Sequence, residues 1–259
     1  MKKMRLMFVA MSLIITGGLL LNSCGQAPRT DEVAEEEVAL NELTPEEKEQ
    51  GFILMFDGET TEGWRGYQSE TFPESGWVIE DGALQVIGAG VGEAGGAGGD
   101  IIYDQKFKDF HLILEWKVSD GGNSGIFYLA QELEGEPIWK SAPEMQILDN
   151  ERHIDAGLGV DGNRKAGSLY DLIPAKPQNT KPAGEWNIAE VMVYRGTVVH
   201  RQNGEVVLEY HIGTADWDRM IADSKFAEFP EFGKYREGYI GLQDHGDDVW
   251  FRNIRIREL

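Results

Sequence analysis

The chain has 259 residues, 41% of them hydrophobic, enough to bury one large core, and an all-β domain of roughly 200 residues or more is ordinary at that size. Its formal net charge of -21 repels a phosphate backbone, which excludes nucleic acid as a partner. Cys24 is the single cysteine, so intrachain disulfides, Cys-rich zinc sites and a redox pair are excluded as well.

The first element is a leader. Lys2, Lys3 and Arg5 precede an apolar run from Leu6 to Leu21, and a small residue, Ser23, stands just before Cys24. This is the order of a secretory signal peptide over residues 1–23. Leu21-Asn22-Ser23-Cys24 resembles a bacterial lipobox, in which cleavage precedes a cysteine that is then lipidated. The expectation is an exported lipoprotein of a bacterial cell envelope, periplasmic or at the outer membrane or cell surface, touching the membrane only through its lipid anchor.

Residues 24–50 follow as an acidic tether, with nine acidic and two basic side chains over residues 25–50. Such a segment buries too little to fold and would span about 25 to 30 Å as a flexible coil. At its end Thr44-Pro45-Glu46-Glu47 fits a capping box with Pro at N1, and Gly51 can stop the helix, which predicts one short helix.

From Gly51 to Leu259 the hydrophobic period is 2. In "FHLILEWKV" Phe110, Leu112, Leu114, Trp116 and Val118 share one face of a strand. Asp81-Gly82 and Asn203-Gly204 each separate two such runs and predict tight hairpins. Further strands are expected at "FILMF", "DIIYD", "SGIFYLA", "EMQIL", "GSLYDL", "WNIAEVMVYR", "GYIGLQ" and "VWFRNIRIRE". Ten or more short strands with little helical pattern predict an all-β, two-sheet antiparallel sandwich. The stretch "TADWDRMIADSKFAEFPEFGKYREG" reads as a loop with a helical turn. Gly90-Val91-Gly92-Glu93-Ala94-Gly95 matches a dinucleotide-binding pattern, but the helix that would hold the pyrophosphate does not follow it, so a glycine loop is expected. The nucleophile-elbow, P-loop and zinc-protease motifs are not found either.

Polar stretches on or beside apolar strands remain: "GGNSGIFY", "PEMQILDNERH", "AGSLYDLIPA", "AGEWN" and "GLQDHGDDVWFRNI". Together with "GFILMFDGETTEGW", they resemble the family of secreted bacterial 3-keto-disaccharide hydrolases over about residues 51–259. The resemblance implies a concanavalin A-like, lectin/glucanase-type jelly roll whose concave sheet binds sugar. It further implies action on glycosides whose C3 hydroxyl has been oxidised to a ketone. A C3 ketone acidifies the C2 proton and leaves the C1 substituent β to the carbonyl, so the aglycone can depart by elimination and water can add back. That chemistry needs a base near C2, a donor or cation for the enolate oxygen and an acid for the leaving group, without a covalent nucleophile.

Glu144 is the first candidate for the base. The spacing Glu144, Gln146, Asp149 also echoes a glucanase signature in which the first, third and sixth residues enter the cleft, with Gln146 in place of the middle acid. Asp149 and His153 are the further catalytic candidates, His153 as leaving-group acid or cation ligand. Asn123, Gln146, Tyr170, Trp186, Gln243 and His245 are expected to contact substrate, Asn123 from a glycine-rich turn and Tyr170 at the C3 oxygen. Trp139 is a second stacking candidate, and Arg164 and Lys165 could neutralise an enolate. His111, His200 and His211 read as structural. A divalent metal ion held by some Asp, Glu and His subset stays open, and no other cofactor is indicated. Three functions compete: cleavage of 3-keto-glycosides by elimination and hydration or net hydrolysis, a noncatalytic carbohydrate-binding module, and a retaining jelly-roll glucanase.

Overall fold

Asp81 and Gly82 both take positive φ, 50° and 71°, as do Asn203 and Gly204, at 49° and 83°. These are the left-handed conformations that a two-residue hairpin requires, and Asn, Asp and Gly supply them at least cost. In the computed structural model, which describes residues 39–89 and 96–259, the turns close β3 (Trp77–Glu80) on β4 (Ala83–Val86) and β10 (Thr197–Gln202) on β11 (Glu205–His211). Cys24 and the glycine loop at 90–95 lie outside the described residues.

These four strands join β1 (Ile53–Leu54), β6 (Phe110–Val118), β9 (Asn187–Tyr194) and β13 (Val249–Glu258) in an eight-stranded sheet. Its main path runs β11-β10-β9-β6-β13-β4-β3, with β1 paired to β13. The second sheet has five strands in the order β2 (Trp64–Gly66), β5 (Ile101–Phe107), β12 (Gly238–Leu242), β7 (Asn123–Ala130), β8 (Glu144–Leu148). Every pairing is antiparallel, giving the expected all-β sandwich of two sheets. Phe110, Leu112, Leu114, Trp116 and Val118 are at most 1% exposed and face Ile126, Tyr128, Met145 and Ile147 of the other sheet in one core. Burial of each such side chain contributes on the order of 1.5–3 kcal/mol.

One polar network crosses this core. His200 Nδ1–H donates to the Gly167 carbonyl at 3.0 Å, which leaves Nε2 to accept from the Tyr128 hydroxyl at 2.8 Å. Tyr210 then donates to Tyr128 at 2.6 Å. Burial pushes the His200 imidazole down to about 4, so it stays neutral in the fold. His200 is therefore structural, and it fixes from inside the loop that delivers Tyr170.

Residues 39–50, the described part of the expected tether, are bonded to the sandwich. The capping box forms at α1 (Pro45–Glu49), where Thr44 Oγ1 accepts from Glu47 N and Glu47 Oε2 from Thr44 N. Glu47 Oε1 also accepts from Arg255 Nε at 2.5 Å. Asn41 and Asn253 exchange two hydrogen bonds, each side-chain oxygen accepting the other's backbone N–H, at 2.7 and 2.8 Å. Asn253 sits at φ 51° in a bulge of β13, and this clasp holds it there.

Candidate active site

β8 is buried on both faces, because one side packs into the sandwich and the other is roofed. Met145 and Ile147 enter the core, so alternation sends Glu144 and Gln146 to the outer face of the five-stranded sheet. On the adjacent strand, Gly125 stands directly opposite Gln146. A Cβ at Gly125 would lie 2.1 Å from Glu144 Oε1, so only glycine admits the carboxylate there. Asn123 and Gln243 complete this polar floor, with Gln243 N donating to the Gly125 carbonyl at 3.0 Å.

Two segments make the roof. Residues 167–170 run along the edge of β8, held by hydrogen bonds from Gln146 N to Ser168 O, Gly167 N to Gln146 O and Tyr170 N to Glu144 O. The expected strand "GSLYDL" is instead a tight turn, closed by Leu169 and Ile173 and by Asp171 at φ 59°. The second segment follows α2 (Ala215–Ala222), whose Trp217 stacks on Tyr210 at 5.2 Å and anchors the excursion. Beyond it, Ser224 caps a 3-10 turn, Lys225–Glu228, which brings Lys225, Phe226 and, just after the turn, Phe229 over the floor. Trp139 meets Phe229 edge-on at 5.1 Å. The result is a cavity of about 270 Å³ with a polar floor and an aromatic wall.

Glu144 is 8% exposed, and burial pushes its carboxyl up to about 8 although Lys225 favours the ionised form. Burial also pulls the Lys225 ammonium below its ordinary value, while Asp171 Oδ2, 3.5 Å away, favours its charge. Tyr170 donates to Asp155 Oδ2 at 2.8 Å, and burial raises its phenol well above the usual range, so it remains a neutral donor. Asn123 Oδ1, Gln243 Oε1 and His245 Nδ1 are buried without a hydrogen-bond partner. A buried polar atom left unpaired costs about 1–3 kcal/mol, and here three belong to residues that line one cavity.

Of the residues singled out in the sequence, Glu144, Gln146, Asn123, Tyr170, Gln243 and His245 line this cavity, as does Trp139. His153 lies behind His245, with ring centroids 6.0 Å apart. Asp149 is turned elsewhere: its carboxylate accepts from Gly121 N at 2.8 Å and Glu151 N at 3.0 Å, which fixes the turn before β7. Trp186 immediately precedes β9 of the other sheet, where its ring centroid lies 3.9 Å from the Arg252 guanidinium, so the structure does not bring it to the site. Arg164 is held by Asp171 and Asp155, and Lys165 does not line the cavity. Sequence reasoning missed Lys225, Phe226 and Phe229. The available signal was Ser224 as an N-cap ahead of aromatics at 226, 229 and 232, three residues apart, which marks an ordered turn with an apolar face.

Chemically, the cavity joins one carboxyl able to exchange a proton near neutral pH to a cation, a phenol and amides with free acceptors. Glu144 is the sole carboxylate among its lining residues. That set suits proton removal from a polyhydroxylated ligand better than a double displacement, which needs two carboxylates about 5 to 5.5 Å apart.

Comparison with known proteins gives the family. Residues 51–257 match the family described as the 3-keto-alpha-glucoside-1,2-lyase-like domain. A 3-keto-disaccharide hydrolase from Bacteroides thetaiotaomicron is 47% identical over 99% of this chain and 100% of its own length. A crystal structure of a candidate glycosyl hydrolase from Parabacteroides distasonis is 30% identical, with a TM-score of 0.76 over 85% of this chain and 100% of that one. Another candidate glycosyl hydrolase from the same organism is 29% identical, with a TM-score of 0.55 over 81% and 84% of the two chains. Sequence and sandwich agree, and the chain belongs to the 3-keto-alpha-glucoside-1,2-lyase-like family.

Proposed function

We propose that this protein cleaves 3-keto-glycosides, 3-keto-disaccharides among them, by elimination across C2 and C1 followed by hydration. The observation that carries the reading is Glu144, a buried carboxyl near pKa 8 and the sole carboxylate on a sugar-sized cavity. As carboxylate it takes the C2 proton, and the C–H electron pair forms the enolate with the negative charge on the C3 oxygen. Lys225, the lysine on the wall, stabilises that charge. The enolate collapses to a C1–C2 double bond conjugated with the ketone while the C1–O bond breaks and the leaving oxygen takes a proton from solvent water. Water adds at C1 and gives one proton back to solvent. Glu144, its acid proton exchanged with solvent, returns a proton to C2, and the 3-keto sugar is released. A group poised near neutral pH suits both transfers. Asn123, Gln146 and Gln243 hold the sugar hydroxyls. The name of the Bacteroides thetaiotaomicron relative supports the substrate class.

Reaction in deuterated water tests the mechanism. The released 3-keto sugar is expected to carry deuterium at C2 beyond the exchange of free 3-keto sugar followed alongside. Direct displacement at C1 would leave C2 at that background and send Glu144 to a binding role. The retaining-glucanase alternative has Asp149 as its second acid, and that residue is committed to a turn.

On the leader, we infer a lipid anchor at Cys24 and a place in the bacterial envelope. Two acyl chains hold a protein far better than one, at about 0.8 kcal/mol per buried CH₂. Cys24→Ala is therefore expected to leave the detergent-partitioning fraction, and a variant that partitions as wild type would remove the anchor.

A further inference from the structure

Beside the cavity, and unused by the proposed reaction, side chains from two loops converge. His153 precedes the 3-10 turn Ile154–Gly157, and His245 and Asp247 come from the connection between β12 and β13. One ring nitrogen of each histidine and one carboxylate oxygen of Asp247 all lie within 4.8 Å of one another, and all three residues are half-buried. Their other atoms are already engaged. His153 Nδ1 accepts from Asp155 N at 3.2 Å, so the neutral ring carries its proton on Nε2, and an ion at Nε2 moves that proton to Nδ1 and releases the Asp155 bond. Asp247 Oδ2 accepts from Asn123 N at 3.1 Å, so it presents Oδ1. His245 Nδ1 is buried without a hydrogen-bond partner.

His245 Nδ1, buried beside a second imidazole and a carboxylate, has no hydrogen-bond partner, and such an orphan costs free energy. A cation bound there removes that cost. We propose that His153, His245 and Asp247 bind a divalent transition-metal ion. Two imidazoles and one carboxylate suit zinc, manganese, iron(II) or cobalt, whereas calcium and magnesium prefer oxygen throughout. Metal–ligand bonds of about 2.0–2.2 Å put the donors on one ion roughly 3 to 4 Å apart. The span of 4.8 Å therefore needs only a contraction of about 1 Å, within reach of side-chain rotation.

The Asn123 N–H bond to Asp247 orients that carboxylate before an ion arrives, as the outer shell of a metal centre does. Three protein ligands leave coordination positions open, and His245 also lines the cavity, so a water or a sugar oxygen can complete the sphere. Any part the ion plays in the reaction rests on the elimination proposed above, so binding is measured without substrate.

The purified whole chain, stripped with chelator, is dialysed against Co²⁺ and read by metal analysis and by the visible absorption of the ion. One Co²⁺ per chain is expected, with a spectrum of mixed nitrogen and oxygen ligation. His245→Ala and Asp247→Asn should each weaken binding by more than the roughly 10–100-fold that loss of an outer-shell partner costs. Asp247→Asn keeps an acceptor for the Asn123 N–H, which guards against a variant that merely misfolds. His211→Ala, an exposed ring bonded to Thr197, should bind Co²⁺ as wild type does. Absence of stoichiometric uptake, or an unchanged spectrum in folded His245→Ala, overturns the site. Loss of C2 labelling with Co²⁺ binding intact would instead overturn the elimination and leave the site in place.

Discussion

On β6 of the eight-stranded sheet the side chains alternate strictly between the core and a half-exposed outer face, whereas on β8 of the five-stranded sheet all five residues are buried. Both outer faces carry carboxylates. Glu115 on β6 pairs with Arg252 at 2.8 Å, and Glu190 on β9 with His111 at 2.9 Å and Arg201 at 3.4 Å. Each faces a basic side chain on the half-exposed surface. Glu144 has a roof of aromatics, a lysine at the edge and no hydrogen-bonded partner for its carboxylate, and its affinity for protons rises accordingly. What separates a solvated strand carboxylate from one that holds its proton toward neutral pH is the covering supplied by residues 167–170 and 224–229, far from it in sequence.

Glu144→Gln gives the largest contrast. Shape and hydrogen bonding persist while the proton acceptor is lost, so turnover of a 3-keto-glucoside should fall by about 10² to 10⁴, the usual worth of a positioned base. Trp186→Ala on the opposite face should turn over at the wild-type rate in the same assay. Equal losses in the two would dissolve the distinction between the faces.

Gly125→Ala comes next. Its new methyl must displace the Glu144 carboxylate, and a shift of about 1 Å can cost roughly 10²-fold in rate. The loss should appear in kcat more than in KM, because the hydroxyl-binding amides stay in place. A normal kcat would mean that the base does not need this position.

The smallest effect is thermodynamic. Glu144 titrates near 8 in the fold against an ordinary 4.5, so between those values the native state holds a proton that the unfolded chain has released. Its contribution to stability is therefore lost as pH rises from about 5 to about 8. Glu144→Gln should gain stability over wild type progressively across that window, measured by urea unfolding at both limits. Wild-type kcat/KM should climb over the same interval as the carboxylate forms. A constant stability difference would mean that Glu144 is ionised throughout.

The sandwich was legible because its signals are local. The period of "FHLILEWKV" and the pairs Asp81-Gly82 and Asn203-Gly204 act within a few residues, and the structure follows them. The floor of the site was legible in part for the same reason, since Glu144 and Gln146 share a strand face. The roof was not. Lys225 reaches the cavity because Trp217 packs on Tyr210, a contact with no trace in the residues around Lys225. Trp186 misled for the converse reason: its neighbours in "AGEWN" are polar, but the strand it precedes belongs to the other sheet. Asp149 kept the spacing of a cleft residue, yet two backbone N–H groups claim its carboxylate.

The clasp between Asn41 and Asn253 bears on how this protein can be divided. The family region begins at residue 51, but a chain started there would lose the Glu47 contact to Arg255 and both hydrogen bonds that hold the left-handed Asn253. The bulge in β13 would then keep the Asn253 amide's bond to Glu115, the Arg255 bond to the Asn253 carbonyl and the Met55 N–H bond to the Ile254 carbonyl. As an inheritable module, the unit extends about a dozen residues upstream of the family boundary, and a fusion or graft that respects the boundary alone would loosen the sheet on the face opposite the Glu144 cavity.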